Sequence, residues 1–352
     1  MVFDALDDGG HEQVSYFSDP ETGLQSIVAI HDTTLGPGLG GTRILDYESE
    51  DAALEDVLRL SGAMTLKAAA ADLDLGGAKA VILGDPAEIK TEALLEAYGR
   101  AVECLGGRYI TSVDVNSGVD DMEIVRRTTD HVVGLRDGLG DPSPITATGV
   151  LAGIRACVEH EYGADSLDDV EVVVQGLGKV GSALASDLIA RGAAVTISDV
   201  SEDNVERFLA EHDADVVAPD AVYDEPCDVF APCAIGGVVN DETVSRFDCD
   251  VVAGAANNVL AERRHAGALA DRGILYAPDY VINAGGLITV AEEHRGGNRE
   301  TAFERAKAIQ DRLLSMIERA EDAGTTVLQA ADDYANERIE RGERTTPAVA
   351  GD

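Results

Sequence analysis

The sequence predicts an α/β fold with two domains, from its length and from one βαβ pattern. The chain has 352 residues, enough for two domains that each bury a core. In residues 170–199 a run of β-branched residues, a glycine-rich turn, a helical pattern and a second apolar strand follow one another. We therefore expect an N-terminal α/β domain over 1–142, with 324–352 packing back on it, and a parallel-sheet domain over 143–323.

The elements of the first domain follow from hydrophobic periodicity and from the residues at element ends. Alternating residues on both sides of a proline- and glycine-containing turn predict a hairpin. An acidic start followed by Ala53, Val57, Leu60 and Met64 at helical spacing predicts a long helix. The predicted elements are strands at 14–17 and 24–30, a glycine-rich loop at 35–43, a helix at 49–71, strands at 80–83 and 109–113 around a helix at about 90–105, and a closing turn at 138–144.

The second domain continues the parallel sheet of the βαβ pattern. Several of its short strands end in turns of small residues, and the carboxyl ends of the strands line the ligand crevice in such a sheet. The last helix is expected to return to the first domain. The predicted elements are a helix from 146, the βαβ unit, strands at 228–230, 250–252 and 274–276, and helices at about 301–323 and 327–341.

The turn inside the βαβ pattern fits the phosphates of a dinucleotide. Three glycines permit a tight turn, a close approach of the backbone to a pyrophosphate and close packing of helix on strand. Asp199 ends the second strand, where a carboxylate accepts hydrogen bonds from ribose hydroxyls and repels a 2′-phosphate, so NAD is favoured over NADP. An ordinary tight turn is the alternative. The turn consists of Gly176, Leu177, Gly178, Lys179, Val180 and Gly181.

The charge of the chain limits its partners. It has 66 acidic and 27 basic residues and a formal net charge of −39, which argues against nucleic acid or an anionic membrane as a partner. An acidic chain that uses arginine far more than lysine indicates a halophilic protein, because salt screens self-repulsion. A moderately acidic mesophilic enzyme is the alternative. The lysines are Lys67, Lys79, Lys90, Lys179 and Lys307.

Cysteine and histidine usage bears on compartment and metal binding. Five cysteines without C-x-x-C spacing and seven scattered histidines indicate a reducing compartment and no metal site. Neither a signal peptide nor an apolar run of membrane-spanning length is found. We therefore expect a cytoplasmic protein with no membrane partner.

Two lysines and one aspartate are candidate catalytic groups. Lys67 lies on the apolar stripe of the helix at 49–71, and Lys79 stands between glycines and a wholly apolar run. A lysine that enters a buried strand loses hydration, which lowers its pKa towards the range of a general base. Asp114 ends the strand at 109–113, where it can exchange protons with a lysine. The alternatives are lysine stems that reach the surface and an ordinary turn aspartate.

Four segments together carry a specific pattern in fixed order. They are Gly38-Leu39-Gly40-Gly41-Thr42-Arg43, Met64-Thr65-Leu66-Lys67, Leu75-Gly76-Gly77-Ala78-Lys79, and Ala277-Pro278-Asp279-Tyr280-Val281-Ile282-Asn283-Ala284-Gly285-Gly286. This pattern resembles the glutamate/leucine/phenylalanine/valine dehydrogenase family, above all its leucine and phenylalanine branch, over about Leu35 to Ile339. The resemblance implies an N-terminal α/β substrate and dimerisation domain and a Rossmann NAD-binding domain, separated by a cleft.

The resemblance implies a role for each residue that matches a family motif. Lys79 would activate the water that attacks the imine, and Asp114 would move protons to and from the departing amine. Lys67 would pair with the substrate α-carboxylate, assisted by backbone N–H groups near Gly40 and Gly41. Asn258, or Asn257 in the other register, would hold the amino group or the nicotinamide. The remaining contacts implied are Thr148, Cys233, Ala234 and Asn283 for the cofactor, and Met64, Leu39, Ser112, Leu287 and Val290 for the substrate.

The chain departs from the family at two positions. The family often has glycine where Ala78 stands, and the leucine branch has glycine where Asn116 stands. The segment Asp114-Val115-Asn116 looks more like the phenylalanine branch. These departures leave the catalytic set intact and leave the substrate open.

The expected substrate follows from the side-chain pocket that the resemblance implies. That pocket offers no cation to a second carboxylate, so glutamate is a poor candidate. An apolar pocket discriminates by only about 1–3 kcal/mol per methylene, so leucine, isoleucine and valine are all expected to react. The function implied is reversible NAD-dependent oxidative deamination of a branched-chain L-amino acid to its 2-oxo acid, ammonia and NADH, by a homo-oligomer. The alternatives are phenylalanine as the substrate and an NAD-binding regulatory protein without catalysis.

Overall fold

The structure is a computed structural model that describes residues 2–164 and 166–342, and these residues form two compact units. Of the described residues, the first unit holds 2–140, 290–298 and 335–342, and the second holds 141–289 and 299–334. Relative to the division expected from the sequence, 290–298 lie in the first unit and 324–334 in the second. None of the described helices is both long and apolar enough to cross a bilayer.

The first unit is built on a mixed five-stranded sheet. Its strands are β1 (Gln13–Asp19), β2 (Leu24–Asp32), β3 (Gly38–Leu45), β4 (Gly76–Leu83) and β5 (Tyr109–Val113). Its helices in the N-terminal part are α1 (Val2–Gly9), α2 (Glu50–Ala70), α3 (Pro86–Ile89), α4 (Glu92–Glu103) and α5 (Val119–Val125). The strand order is β1-β2-β4-β3-β5; β2 is antiparallel to β1 and β4, and β3 is parallel to β4 and β5. The predicted N-terminal hairpin is confirmed as β1 and β2.

The two faces of this sheet are covered by different helices. Val81 packs with Ala53 and Val57 of α2, whereas Ala80 packs with Leu94 and Tyr98 of α4. Since neighbouring strand residues point to opposite faces, odd-numbered residues of β4 face α2 and even-numbered ones face α4.

The glycine-rich segment that was predicted as a loop is a strand from Gly38 onwards, and that prediction was wrong. A Cβ on Gly40 would lie 1.7 Å from the carbonyl oxygen of Ala78, and one on Gly41 would lie 2.3 Å from that of Val113. The glycines therefore let three strands approach closely. In the same way β4 begins at Gly76, four residues before the predicted start, because a Cβ on Gly77 would lie 2.1 Å from the backbone nitrogen of Thr65 in α2.

The second unit is built on a six-stranded parallel sheet. Its strands are β6 (Glu171–Gln175), β7 (Ala194–Ser198), β8 (Asp215–Val216), β9 (Val229–Pro232), β10 (Val251–Val252) and β11 (Leu275–Tyr276). Its helices up to residue 289 are α6 (Ser143–Tyr162), α7 (Lys179–Ile189), α8 (Glu202–Leu209), α9 (His265–Ala270), α10 (Asp279–Ile282) and the start of α11 (Gly285–His294). The order β11-β10-β9-β6-β7-β8 with parallel pairing throughout is that of a Rossmann fold, as predicted.

The C-terminal helices differ from the prediction in one place. The helix expected at about 301–323 is two helices, α12 (Arg299–Lys307) and α13 (Ile309–Ala323), because Ala308 breaks the regular helix. The buried Ile309, directly after the break, packs against α6, where a Cβ on Gly149 would lie 2.9 Å from its Cδ1. The last helix, α14 (Val327–Arg341), has the predicted bounds.

The end of α14 joins the first unit through one buried arginine. Arg338 donates to the carbonyl oxygens of Ala69 and Leu73 at 3.3 and 2.8 Å, and it pairs with Asp74 at 2.9 Å. Residues 335–342 thus belong to the first unit.

Candidate active site

Three charged side chains meet on the α2 face of the first sheet. Lys79 comes from β4, Arg43 from β3, and Asp114 directly follows β5. Strand register places Arg43 beside Val81 and Thr42 beside Val113, so Arg43 and Asp114 share the face of Lys79. The Oδ2 atom of Asp114 lies 3.0 Å from Lys79 Nζ and 3.1 Å from Arg43 Nε.

Burial sets the chemistry of Lys79. Its residue is only 6 % exposed, and loss of hydration lowers the pKa of its amine below the usual value. The carboxylate of Asp114 opposes this shift by stabilising the ammonium form, while the positive charge of Arg43 adds to it. A lysine with a lowered pKa beside a carboxylate gives up its proton more readily than an exposed lysine, which a general base must do.

Arg43 connects this pair to a second carboxylate that the sequence reading did not single out. Its Nη1 atom donates to Asp56 Oδ2 at 2.9 Å, and the same oxygen accepts from the hydroxyl of Tyr47 at 2.8 Å. Arg59 binds the other oxygen of Asp56 at 2.8 Å. A partial signal was present, because an arginine at the end of a glycine-rich motif needs an anion. That motif was predicted as a loop, so its partner in α2 could not be inferred.

A turn after β5 positions Asp114. The backbone N–H of Asp114 donates to Ser117 Oγ at 2.9 Å, and that hydroxyl donates to the carbonyl oxygen of Thr42 at 2.6 Å. Asn116 has a φ of 60° and donates its side-chain amide to the carbonyl oxygen of Ile44 at 3.0 Å. Asparagine tolerates this left-handed conformation, which explains how it can replace a glycine here.

A buried cluster of hydroxyl groups lies on the opposite face, behind Gly40. The hydroxyl of Tyr109 donates to the carbonyl oxygen of Gly40 at 2.9 Å. Thr42 Oγ1 lies 2.5 Å from the Tyr98 hydroxyl and 2.6 Å from Thr111 Oγ1. These contacts fix the peptide units of β3 next to Gly41, whose N–H groups the sequence reading assigned to the substrate carboxylate.

Four of the other predicted substrate residues of the first unit come from this face or from the helix that covers it. Leu39 pairs in register with Gly77, and Ser112 with Gly41, and both side chains are buried. Lys67 and Met64 are half-buried on α2, the helix that covers this face. Val290 is half-buried in α11.

The second unit presents the predicted dinucleotide turn between β6 and α7. Gly176 has a φ of 101°, and a Cβ there would lie 2.7 Å from the side chain of Ala234. A Cβ on Gly181 would lie 1.9 Å from the carbonyl oxygen of Gly176. Gly178 caps α7 and has nothing within 4 Å of its Cβ position, so its space is open. Lys179 and Val180 begin the helix, whose N–H groups point to this space.

Asp199 lies at the same edge of this sheet, directly after β7. One of its carboxylate oxygens accepts from the backbone N–H of Leu177 at 2.6 Å, and the other from that of Ser201 at 2.7 Å. The oxygen bound by Ser201 also accepts from the side-chain amide of Asn204 at 3.3 Å, so the oxygen bound by Leu177 is the one that keeps a further lone pair for a ligand hydroxyl.

The turns after β9 and β10 bring further predicted residues to this edge. Ala234 contacts the position of Gly176, and Cys233 that of Gly181. The carbonyl oxygen of Asn258, an exposed residue with a φ of 53°, accepts from Gly237 at 2.7 Å. The side-chain amide of Asn283 donates to Asn257 Oδ1 at 3.0 Å. Thr148 is half-buried in α6 and donates to the carbonyl oxygen of Pro144, and Leu287 is buried in α11.

Two comparisons with family models match most of the chain. Residues 11–131 match the Glu/Leu/Phe/Val dehydrogenase dimerisation domain, and residues 200–346 match Glutamate/Leucine/Phenylalanine/Valine dehydrogenase. The chain belongs to the Glu/Leu/Phe/Val dehydrogenase family. It is therefore an amino acid dehydrogenase, an oxidoreductase that uses NAD(H).

Individual members of the family resemble this chain over almost its whole length. The leucine dehydrogenase of Bacillus cereus is 48% identical over 341 residues, which are 96% of this chain and 93% of the relative. The phenylalanine dehydrogenase of Caldalkalibacillus thermarum is 43% identical, over 98% of this chain and 95% of the relative. The crystal structure of L-tryptophan dehydrogenase from Nostoc punctiforme is similar with a TM-score of 0.90, 44% identity, and coverage of 98% of this chain and 100% of that one.

The residues of this family member fit NAD. The open space at Gly178 lies against the first turn of α7, where backbone N–H groups have no helical partner. The carboxylate of Asp199 lies at the next strand end and is held by two backbone N–H groups. Donors for a pyrophosphate and an acceptor for ribose hydroxyls are thus both in place.

Proposed function

We propose that this amino acid dehydrogenase catalyses the reversible, NAD-dependent oxidative deamination of branched-chain L-amino acids. The substrate is leucine, with valine and isoleucine also accepted, and the products are the 2-oxo acid, ammonia and NADH. The observation that carries the proposal is the buried Lys79 amine, 3.0 Å from the Asp114 carboxylate. The relatives also support this proposal, because several leucine dehydrogenases are 44–48% identical to this chain.

The residues of the first unit would handle the protons of this reaction. NAD, when bound, supplies the acceptor for the hydride that leaves the substrate Cα. The neutral amine of Lys79 takes a proton from water as the water attacks the resulting imine carbon and the C=N π electrons move to nitrogen. Asp114, 3.0 Å from Lys79 Nζ, relays that proton from the Lys79 ammonium to the amino nitrogen. Lys79, neutral again, then takes the hydroxyl proton as the carbonyl forms and the C–N bond breaks, which releases ammonia and the 2-oxo acid. Lys67 and the backbone N–H groups near Gly40 and Gly41 hold the α-carboxylate.

The predicted substrate contacts support an apolar substrate. Leu39 and Ser112 share the face of Lys79. The family resemblance also assigns Met64, Leu287 and Val290 to the substrate side chain. Arg43 is a cation on that face, but Asp114 and Asp56 already occupy its guanidinium. A glutamate side chain would therefore be buried without a partner charge.

The second unit supports NAD as the cofactor. Gly176 to Gly181 would bind the pyrophosphate, and Asp199 would accept from the ribose hydroxyls and disfavour NADP. The residues of the neighbouring turns would complete the cofactor site. These are Thr148, Cys233, Ala234, Asn258 and Asn283.

The test is NADH formation from amino acids in concentrated KCl. We expect the highest kcat/KM with L-leucine, lower values with L-valine and L-isoleucine, and the lowest with L-phenylalanine and L-glutamate. Lys79→Ala should lower kcat by about 10²-fold or more, the usual contribution of a general base. Lys90→Ala is the matched control, because Lys90 pairs with Asp121 outside this face. A Lys79→Ala variant as active as the wild type would refute the assigned base, and NAD binding without turnover would favour a regulatory protein.

Three further proposals concern the setting of the enzyme. A net charge of −39 with only five lysines supports adaptation to high salt. All five cysteines are free, which supports a reducing cytoplasm, to be checked by cell fractionation. The match of residues 11–131 to a dimerisation domain supports a homo-oligomer, to be checked by light scattering in high salt.

A further inference from the structure

We propose that Arg43 is a positioning residue of the active site, which holds Asp114 as a charged partner of Lys79, and that Asp56 balances the charge of Arg43. The inference rests on the proposed roles of Lys79 and Asp114. It adds two residues to which no role has been assigned.

The geometry makes Asp114 a shared partner of two cations. Its Oδ2 atom lies 3.0 Å from Lys79 Nζ and 3.1 Å from Arg43 Nε, so both donors bind one oxygen. The side chains of Arg43 and Asp114 are 20% and 22% exposed, and that of Lys79 is 8% exposed. Charges that are this poorly hydrated need partners within the protein.

The two cations differ in which of them can lose a proton. A guanidinium stays charged under all conditions in a folded protein, whereas a buried ammonium is readily deprotonated. When Lys79 becomes neutral, Arg43 therefore still pairs with Asp114. Without Arg43, loss of the proton from Lys79 would leave the Asp114 carboxylate alone, so the proton would stay on Lys79.

Asp56 acts on the same set from α2. It binds Arg43 at 2.9 Å, accepts from the Tyr47 hydroxyl and pairs with Arg59. At Lys79, the charge of Arg43 disfavours the ammonium form and the charge of Asp56 favours it. The two residues therefore act on Lys79 with opposite signs.

Among the described residues, the charges that act most strongly on Lys79 are those of Asp114, Arg43 and Asp56. Strand β2 places the apolar Ala29 beside Lys79, and the titratable His31 two residues further along bonds to Thr65 of α2 at 2.8 Å. Besides Asp56, helix α2 carries the charged residues Glu50, Asp51, Glu55, Arg59 and Lys67. Substitutions at Arg43, Asp56 and Arg59 thus separate the proposed effect from a general change in charge.

The experiment compares Arg43→Gln with Asp56→Asn, each of which removes one charge at similar volume. The chain has only five lysines, so protein with lysine labelled with ¹³C at Cε gives few signals, and the Lys79 signal is assigned with Lys79→Arg. The titration of Lys79 is followed by NMR without substrate, and kcat/KM for L-leucine is measured against pH in parallel. Circular dichroism checks that each variant is folded.

The two variants should shift the Lys79 titration in opposite directions. Arg43→Gln should raise the pKa of Lys79, and Asp56→Asn should lower it. The alkaline rise of kcat/KM should move with the titration, so that Arg43→Gln loses activity on the acid side of the rise and recovers as the pH increases. Arg59→Gln is the matched control, since Arg59 binds Asp56 Oδ1 whereas Arg43 binds Asp56 Oδ2. It should leave the Lys79 titration and the pH profile of kcat/KM unchanged.

Unchanged titration of Lys79 in both folded variants, or shifts of the same sign, would overturn the inference. If Arg43→Gln does not fold, the sign of the shift in Asp56→Asn decides alone. Opposite shifts of the Lys79 titration in a protein that does not oxidise amino acids would refute the proposed function and leave the inference on Arg43 and Asp56 standing. An active enzyme without these shifts would support the proposed function and refute the inference.

Discussion

Tyr109 is a single residue whose hydroxyl links the core to the substrate side of β3. Its hydroxyl is fully buried and donates to the carbonyl oxygen of Gly40 at 2.9 Å. Tyr109→Phe removes this donor and leaves a buried carbonyl oxygen without it. We expect a loss of about 1–3 kcal/mol in the free energy of unfolding and a higher KM for leucine. Urea unfolding in high salt and steady-state kinetics measure the two effects.

Tyr16→Phe is the control for that substitution. Tyr16 is 46% exposed on β1, so water replaces any contact of its hydroxyl. Equal unfolding free energies for the two variants would show that the Tyr109 hydroxyl contributes nothing to stability.

Sequence patterns reach some of the active-site residues and miss others for a physical reason. Lys79 stands out because a charged residue interrupts a wholly apolar strand, and Asp114 because it ends one. Arg43 and Asp56 form their pair between a strand and a helix, and no local spacing records that contact. The pairing of charges around Lys79 is therefore visible only in the folded structure.

At the scale of elements, glycine decides how closely α2 approaches β4. A Cβ on Gly77 would lie 2.1 Å from the backbone nitrogen of Thr65 and 2.5 Å from the carbonyl oxygen of Ser61. Gly77→Ala should force helix and strand apart and lower the free energy of unfolding by about 1–3 kcal/mol or more. Thermal unfolding followed by circular dichroism measures the loss.

Gly267→Ala is the control for Gly77→Ala, because a Cβ atom at Gly267 meets no neighbouring atom. Nothing lies within 4 Å of the Cβ position of Gly267, and the residue is inside α9. Alanine there should leave stability unchanged or raise it by up to about 1 kcal/mol. A Gly77→Ala variant as stable as Gly267→Ala would contradict the close-approach argument.

Elements were predictable where a local cause fixes them. Ser49 accepts from the backbone N–H of Ala52 at 3.1 Å and so starts α2 where the acidic residues indicated a helix. The bounds of β5 and α14 also match. The strand β3 was not predicted because its glycines are required by close contact with the neighbouring strands. Those strands lie far away in sequence, so no local pattern indicates the contact.

At the scale of the whole molecule, charge should make stability depend on salt. The formal net charge is −39, and added salt shortens the screening length from about 10 Å at 0.1 M to about 3 Å at 1 M. We expect the Tm to rise steadily between about 0.1 and 2 M KCl. Glycerol at matched viscosity is the control, because it adds no ions. A Tm that is flat across this range would support the mesophilic alternative.

The overall architecture was the most predictable level. A βαβ unit followed by recurring short strands implies a parallel sheet, and the observed order β11-β10-β9-β6-β7-β8 is the doubly wound order typical of such units. The unit boundaries were less predictable. Residues 290–298 belong to the first unit because Glu293 binds the backbone N–H groups of Gly134 and Leu135, a contact that crosses most of the chain.

The alternation along β4 divides its residues between two kinds of selection. Lys79 meets charged partners on one side, while Ala78, Ala80 and Ile82 meet only the hydrophobic core on the other. Residues of similar volume can replace one another on the core side without altering the charges around Lys79. On the α2 side, Gly77 and Val81 also pack closely against the helix, so a change of substrate preference there must keep that packing intact.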